Sequence, residues 1–387
     1  MAFVGGIMND VSFGVPIAVS AGSGPIYFCP ELEVNGCMLI SGPPGCGKSR
    51  LLSSMEACLS EYCPVMAMTP HDDFSRITGR GLLVTEDGIN GFGINPFSLS
   101  ISSIQLFGVV GSANRIVSLL ERFGGKFGAQ QKAMLSSLLM DSARQKLNLE
   151  SAEIDGGERF CIDDVVGLIE DRMESSEGAR ERGILQSLLS RVSQVAALPI
   201  FTQENTIDPA ILIQYSSILD LSRVRGDIRL IIFDAILMVV QECIFSLGSV
   251  SHREKKFRLF VMVDEAKVFF GDKSRRDDPE HPLNVIATEG RKYGIGLIAA
   301  SQKVEHFSSD MIGSASLKMV MSPVCDVKEK RRLTSECDMS SSELSLLSSP
   351  GWAFLSGARV RPGVYRPVYP VQTMQGLPIQ IQSPLVT

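Results

Sequence analysis

The chain has 387 residues, 44% of them apolar and 21% charged, with a net charge of -6 and a pI near 5.4. That length and composition can build one large domain or two ordinary ones around a sizeable core. The acidic balance excludes a protein that coats nucleic acid without specificity, since neutralising phosphates needs a clustered excess of Lys and Arg.

Apolar runs bounded by turn residues predict strands over residues 15–20, 25–28 and 37–41, and the last leads straight into a glycine-rich loop. Helical spacing of Leu51, Leu52, Met55 and Leu59 predicts a helix over 48–62, and 64–68 reads as the next strand. In this β-α-β unit the loop opens the helix, so backbone N–H groups and the positive end of the dipole face an anion. From 104 to 198 the strand-like runs give way to helical patterns at 115–123, 130–147, 162–173 and 179–195, as in an all-helical insertion.

Beyond it a strand is expected at 217–221 and a helix at 227–245. The segment 230–240 within that helix is the most apolar in the chain but is interrupted by Asp234. It falls short of the roughly 18 apolar residues of a membrane span, so a buried helix in a soluble protein is expected. Strands at 257–263, 296–300 and 317–321 with a helix at 283–293 restore the α/β alternation, and the tail reads as extended and proline-punctuated. Nine cysteines without a CxxC pair, beside four histidines, predict a reducing compartment and no structural zinc. No basic-then-apolar leader pattern opens the chain, which argues against secretion.

The organisation expected is an N-terminal P-loop half of the core over 1–103, the all-helical insertion over 104–200, a second core half over 201–370 and an extended tail over 371–387. The fold class is α/β: a RecA-like P-loop NTPase with a mostly parallel sheet, helices on both faces and an all-α insertion.

The chemistry starts at Gly42-Pro-Pro-Gly-Cys-Gly-Lys-Ser49, a match to GxxxxGK[ST] set between a strand and a helix. The candidate nucleotide-binding residues are Gly42, Pro43, Pro44, Gly45, Cys46, Gly47, Lys48, Ser49 and Arg50. The glycines let the backbone wrap a phosphate, Lys48 neutralises β/γ-phosphate charge and the Ser49 hydroxyl can ligate Mg²⁺. ATP and Mg²⁺ are therefore the expected cofactors. No redox role falls to Cys46.

Such a loop needs an acid at the end of a neighbouring apolar strand, and Phe257-Arg-Leu-Phe-Val-Met-Val-Asp-Glu265 supplies two. Asp264 is the candidate metal ligand with Ser49, and Glu265 the candidate general base for water, which favours hydrolysis over phosphoryl transfer to a second substrate. Downstream, Glu289-Gly-Arg-Lys-Tyr-Gly294 precedes a strand that ends in Ser301-Gln302. Gln302 is a candidate to sense the γ-phosphate or to position the water. Arg291 and Lys292 keep two readings, a charge-donating finger for a neighbouring subunit or a cap on the helix dipole.

The strand with Asp264-Glu265, the segment at 289–294 and the strand ending in Ser301-Gln302 resemble the HerA/FtsK superfamily of motor ATPases, most of all its VirB/TraC-type conjugation and type IV secretion branch. Gly93-Ile-Asn-Pro-Phe97, Ile218-Leu-Asp-Leu-Ser222 and Ser349-Pro-Gly-Trp352 agree with it, and the likeness runs over roughly residues 12–370. The resemblance implies a homo-hexamer with nucleotide between subunits and protein partners in a membrane secretion complex, at the cytoplasmic face of the inner membrane. A DNA-translocating or packaging motor is the second reading, with the basic stretch 273–276 facing a central channel. The chain departs from the family in two places. About 35 residues precede the P-loop strand, which implies a motor-only member or the C-terminal part of a larger product. Thr69-Pro-His-Asp-Asp-Phe74 also replaces the usual Asp-x-Glu-x-Tyr sequence, leaving Asp72 and Asp73 without an assigned role.

Overall fold

The computed structural model describes residues 13–20, 24–33, 35–149, 160–250, 257–322, 327–347, 352–357 and 360–367. The stretch 349–351 and the tail 371–387 lie outside the described residues. The strands in chain order are β1 Val15–Ser20, β2 Gly24–Phe28, β3 Cys37–Ser41, β4 Val65–Thr69, β5 Leu82–Thr85, β6 Gly88–Ile89, β7 Ser217–Asp220, β8 Leu259–Val263, β9 Ile295–Ser301, β10 Leu317–Met321, β11 Ala353–Gly357 and β12 Val360–Pro367. Two compact units emerge, one from Met1–Gly81, Ile213–Asp220 and Ser249–Thr387, the other from Leu82–Leu212 and Leu221–Gly248.

In the first unit the strands run in the order β2-β1-β12-β11-β10-β3-β9-β8-β4-β7. From β10 to β7 every pairing is parallel. This is the mostly parallel sheet that the alternating elements predicted. Strands β3, β8 and β9 are buried at every residue, which explains why they read as continuous apolar runs without alternation. The register sets Ser41 beside Ser301 and Val263 beside Ala299, so three strands end together at one edge.

The stretch expected to be extended and proline-punctuated is extended and is also paired: β11 runs antiparallel to β10, and β12 antiparallel to β11 and β1. Pro362 and Gly363 disguise the strand in the sequence. The ladder steps from Leu355↔Gly363 to Gly357↔Val360, and this irregularity falls beside the proline, where a missing N–H is tolerated.

In the second unit the helices Ile101–Gly124, Ala129–Leu149, Ile162–Ser175, Ala179–Ala196 and Gly226–Ser246 dominate, with β5 and β6 as a small antiparallel hairpin. The residues expected as an insertion fall inside this unit. Its first long helix starts at Ile101, not at 115, because Gly108 breaks the periodicity with φ 72° and ψ 167° and kinks the helix. Buried Arg115 pairs with Glu242 at 2.8 Å and donates to the carbonyls of Pro96 and Ser98. Asn95 donates to the Phe160 carbonyl at 2.8 Å. The Gly93–Phe97 stretch is thereby held as structure.

Among the described residues one helix, Ser103–Gly124, is long and apolar enough to cross a membrane by length and composition. This differs from the sequence reading, which singled out 230–240. The Arg115–Glu242 ion pair ties that helix into its own unit.

Candidate nucleotide site

The helix Lys48–Leu59 starts where the glycine loop ends, and its Leu51, Leu52, Met55 and Leu59 are fully buried on one face. Its N-cap, Gly47, has φ 99° and ψ 13°, a left-handed turn in which a β-carbon is costly. At Gly42 the constraint is room, since a β-carbon there would lie 2.5 Å from the Met321 carbonyl oxygen. The Gly42 N–H donates to the Ser301 carbonyl at 3.1 Å, which fastens the loop to the end of β9.

Lys48 is almost wholly buried. Its Nζ donates to the Gly42 carbonyl at 2.8 Å and the Pro43 carbonyl at 3.1 Å, and lies 3.6 Å from Glu265 Oε1. The Ser49 hydroxyl donates to Asp264 Oδ2 at 2.8 Å. Ser49 and Asp264, expected together as metal ligands, are thus adjacent although 215 positions apart in sequence.

Asp264 is buried, and its Oδ1 has no hydrogen-bond partner among the described residues. Burial pushes its carboxyl above the ordinary range, against the Ser49 hydrogen bond and the Lys48 charge. A buried carboxylate oxygen without a donor, beside a hydroxyl, is a hard-oxygen set that fits Mg²⁺.

Glu265 follows at the N-cap of the helix Ala266–Phe270 with φ 54° and ψ 56°. A non-glycine residue held there costs about 1–3 kcal/mol, and such strain clusters at functional sites. Burial is the largest influence on its carboxyl and pushes it up; Asp264 adds to that, while Lys48 and a hydrogen bond from Gln302 oppose it. Gln302 therefore reaches the candidate base directly.

The remaining loop residues fall as follows. Pro43 contributes its carbonyl to Lys48. Gly45 has a left-handed φ of 78°, and Pro44 and Arg50 are exposed. The Cys46 thiol is half-buried, and burial raises its pKa.

Arg291 and Lys292 are not brought to this edge in their own chain. They are exposed in the last turn of the helix Pro282–Tyr293, which closes with the Gly294 N–H on the Arg291 carbonyl. That turn leads into the start of β9, and β9 spans roughly 20 Å at about 3.3 Å per residue. Asp72 is paired with Arg76 at 2.6 Å, and Asp73 opens the helix Asp73–Thr78.

Two histidines escaped the sequence reading. His71 follows β4, where Thr69 Oγ1 donates to its carbonyl at 2.7 Å, and its charge acts on both Asp264 and Glu265. The one available signal was the position of His71 just past a strand that runs parallel to the acid-bearing one.

His306 Nδ1 lies 2.9 Å from the Ser301 hydroxyl. Burial, then the positive charge of Lys267, drops the His306 pKa to about 4, with Lys303 and Arg276 acting the same way and Glu305 opposing them. Folded His306 thus binds a proton more weakly than the unfolded chain, whose ordinary value is 6.5. The stability it contributes is complete above pH 6.5 and is lost as pH falls towards 4. Urea unfolding at pH 7 and pH 4.5 should show a smaller drop in midpoint for His306→Asn than for the native chain.

No family model matches the chain, and no curated protein matches it in sequence. Solved structures do match. VirB4 of Thermoanaerobacter pseudethanolicus superposes with a TM-score of 0.71 at 14% identity, over 94% of this chain and 98% of that one. An unbound form of the bacterial conjugative coupling protein TrwB gives 0.57 at 14% identity, over 92% and 89%. TrwB in complex with the non-hydrolysable GTP analogue GDPNP gives 0.56 at 15% identity, over 92% and 90%. At these identities the likeness establishes the fold alone, an α/β P-loop fold.

Proposed function

We infer that this chain hydrolyses ATP as the motor of a type IV secretion or conjugation apparatus. The observation that carries the reading is the convergence of Lys48, Ser49, Asp264, Glu265 and Gln302 at one sheet edge, in a fold that matches VirB4 over 94% of this chain. Lys48 neutralises the β/γ-phosphates while the backbone of the glycine loop cradles them. Ser49 and Asp264 would hold Mg²⁺, which supplies countercharge to the phosphates. Glu265 takes the proton from the attacking water, and Gln302 orients the carboxylate and senses the γ-phosphate.

The working form is a homo-hexamer on the cytoplasmic side of the membrane, partnered by proteins of the secretion complex. Arg291 can serve a nucleotide site only from a neighbouring copy, because it lies at the far end of β9 from its own. If it is a finger, Arg291→Ala keeps ATP affinity and loses turnover only under conditions where rings form, as read by size exclusion alongside phosphate release. Equal turnover in mutant and native rings leaves the dipole cap as its role.

Metal dependence tests the two oxygen ligands. Asp264→Asn raises the Mg²⁺ concentration for half-maximal turnover at least about tenfold, an effect on the scale of one lost charge-assisted contact. An unchanged Mg²⁺ titration would remove Asp264 from the metal.

The likeness to a conjugative coupling protein gives the DNA motor its standing as the second reading. Turnover stimulated by DNA, with a steep fall as salt rises, supports that reading. Turnover indifferent to DNA but changed by a membrane-complex partner supports the secretion motor.

A further inference from the structure

The end of β9 and the turn after it touch the proposed machinery at two points. The Ser301 carbonyl accepts from the first glycine of the phosphate loop, Gly42, at 3.1 Å, and the next side chain, Gln302, is hydrogen-bonded to Glu265. Two further anchors pin the turn: the Val304 N–H donates to buried Glu329 at 3.1 Å, and Arg276 donates to the Glu305 carbonyl. The Arg276 guanidinium is itself held by Asp277 at 2.7 Å. In the short 3-10 helix Val304–His306 the chain folds back, which brings His306 Nδ1 to 2.9 Å from the Ser301 hydroxyl. Ser301 is fully buried.

We propose that His306 is a positioning residue for ATP turnover: its hydrogen bond to the Ser301 hydroxyl fixes the Ser301–Gln302 peptide that links the phosphate loop to Glu265. The physical reason is that a peptide unit is planar. The carbonyl that holds Gly42 and the nitrogen that leads into Gln302 turn together, so a rotation at Ser301 swings the carbonyl off the loop and displaces the Gln302 amide from the carboxylate. The hydrogen bond between Ser301 and His306 closes a ring over residues 301–306 that includes this peptide, so its rotation would break the contact, and catalytic groups tolerate only about 0.5 Å of error in placement. Arg276 and Glu329 hold the far end of the same turn. The imidazole sits among Lys267, Lys303 and Arg276, with Glu305 the opposing anion. It therefore acts as a neutral hydrogen-bonding group and not as an acid.

This inference rests on the reading that the edge hydrolyses ATP, and the test separates the two. Nucleotide Kd and steady-state kcat are measured on the full chain for the native protein, Ser301→Ala, His306→Ala, His306→Asn and the Ser301→Ala/His306→Ala double variant. The expected result is a kcat about tenfold lower in each alanine variant, the scale of one lost buried hydrogen bond. Nucleotide Kd should stay within about twofold. His306→Asn, whose amide can either donate or accept, recovers most of the rate, and the double variant is no worse than either single one.

Native kcat in Ser301→Ala or His306→Ala overturns the proposal, as does a multiplicative loss in the double variant or an asparagine variant as slow as the alanine one. If His306→Ala fails to fold, Ser301→Ala and His306→Asn decide by the same criteria. A native chain that binds ATP without turning it over overturns both the motor reading and this one. Native turnover that His306→Ala matches overturns the positioning role alone.

Discussion

Lys48→Ala abolishes nucleotide binding at micromolar ATP, seen as loss of a thermal shift or of fluorescence from a labelled nucleotide. Lys48 contributes a nearly buried cation whose contacts are all at the site: the Gly42 and Pro43 carbonyls and Glu265. Truncating one member of such a buried charge pair costs about 2–5 kcal/mol, which is roughly 30-fold or more in affinity. The loss also removes the opposing charge nearest Glu265, one of the influences that hold that carboxyl down. Any residual turnover therefore falls further than binding alone accounts for. Retained binding with native affinity would detach Lys48 from the phosphates and with it the whole reading of the loop.

Glu265→Gln separates chemistry from binding. The amide keeps the shape and the left-handed backbone at φ 54°, and can still pair with Gln302, but it cannot accept the proton of an attacking water. Turnover should fall about 10²–10⁴-fold, the usual worth of a positioned general base, with ATP affinity preserved. Single-turnover phosphate release with a parallel binding titration checks both halves. An undiminished rate would exclude Glu265 as the base. A simultaneous loss of affinity would instead mean that the carboxylate chiefly holds Lys48 in place at 3.6 Å.

The parts of this site legible in the sequence are those written within one strand, turn and helix. Gly42 to Ser49 announces itself because wrapping a phosphate needs glycines at fixed offsets, and Asp264-Glu265 because polar residues abruptly end a buried strand. Elements with strong periodicity, such as the helices at 162–175 and 179–196, came out within a few residues. The extended character of residues 353–367 was legible too, but their pairing was not, since Pro362 and Gly363 argue locally against a ladder and the partners β10 and β1 are far away in sequence. The first fourteen residues of the helix Ile101–Gly124 were likewise hidden by the kink at Gly108.

By itself the sequence determined that a phosphate loop and an acidic strand end exist, and that they belong to an α/β core. Each of those features depends on residue types a few positions apart, where spacing fixes geometry. Tertiary structure alone decided that Ser49 meets Asp264 across 215 positions, that Ser301 ties β9 to Gly42, that His306 turns back onto Ser301, and that Arg291 lies away from its own site. Those relations follow from strand order and register, which arise from burying whole faces of the sheet and leave no local signature at the residues they bring together.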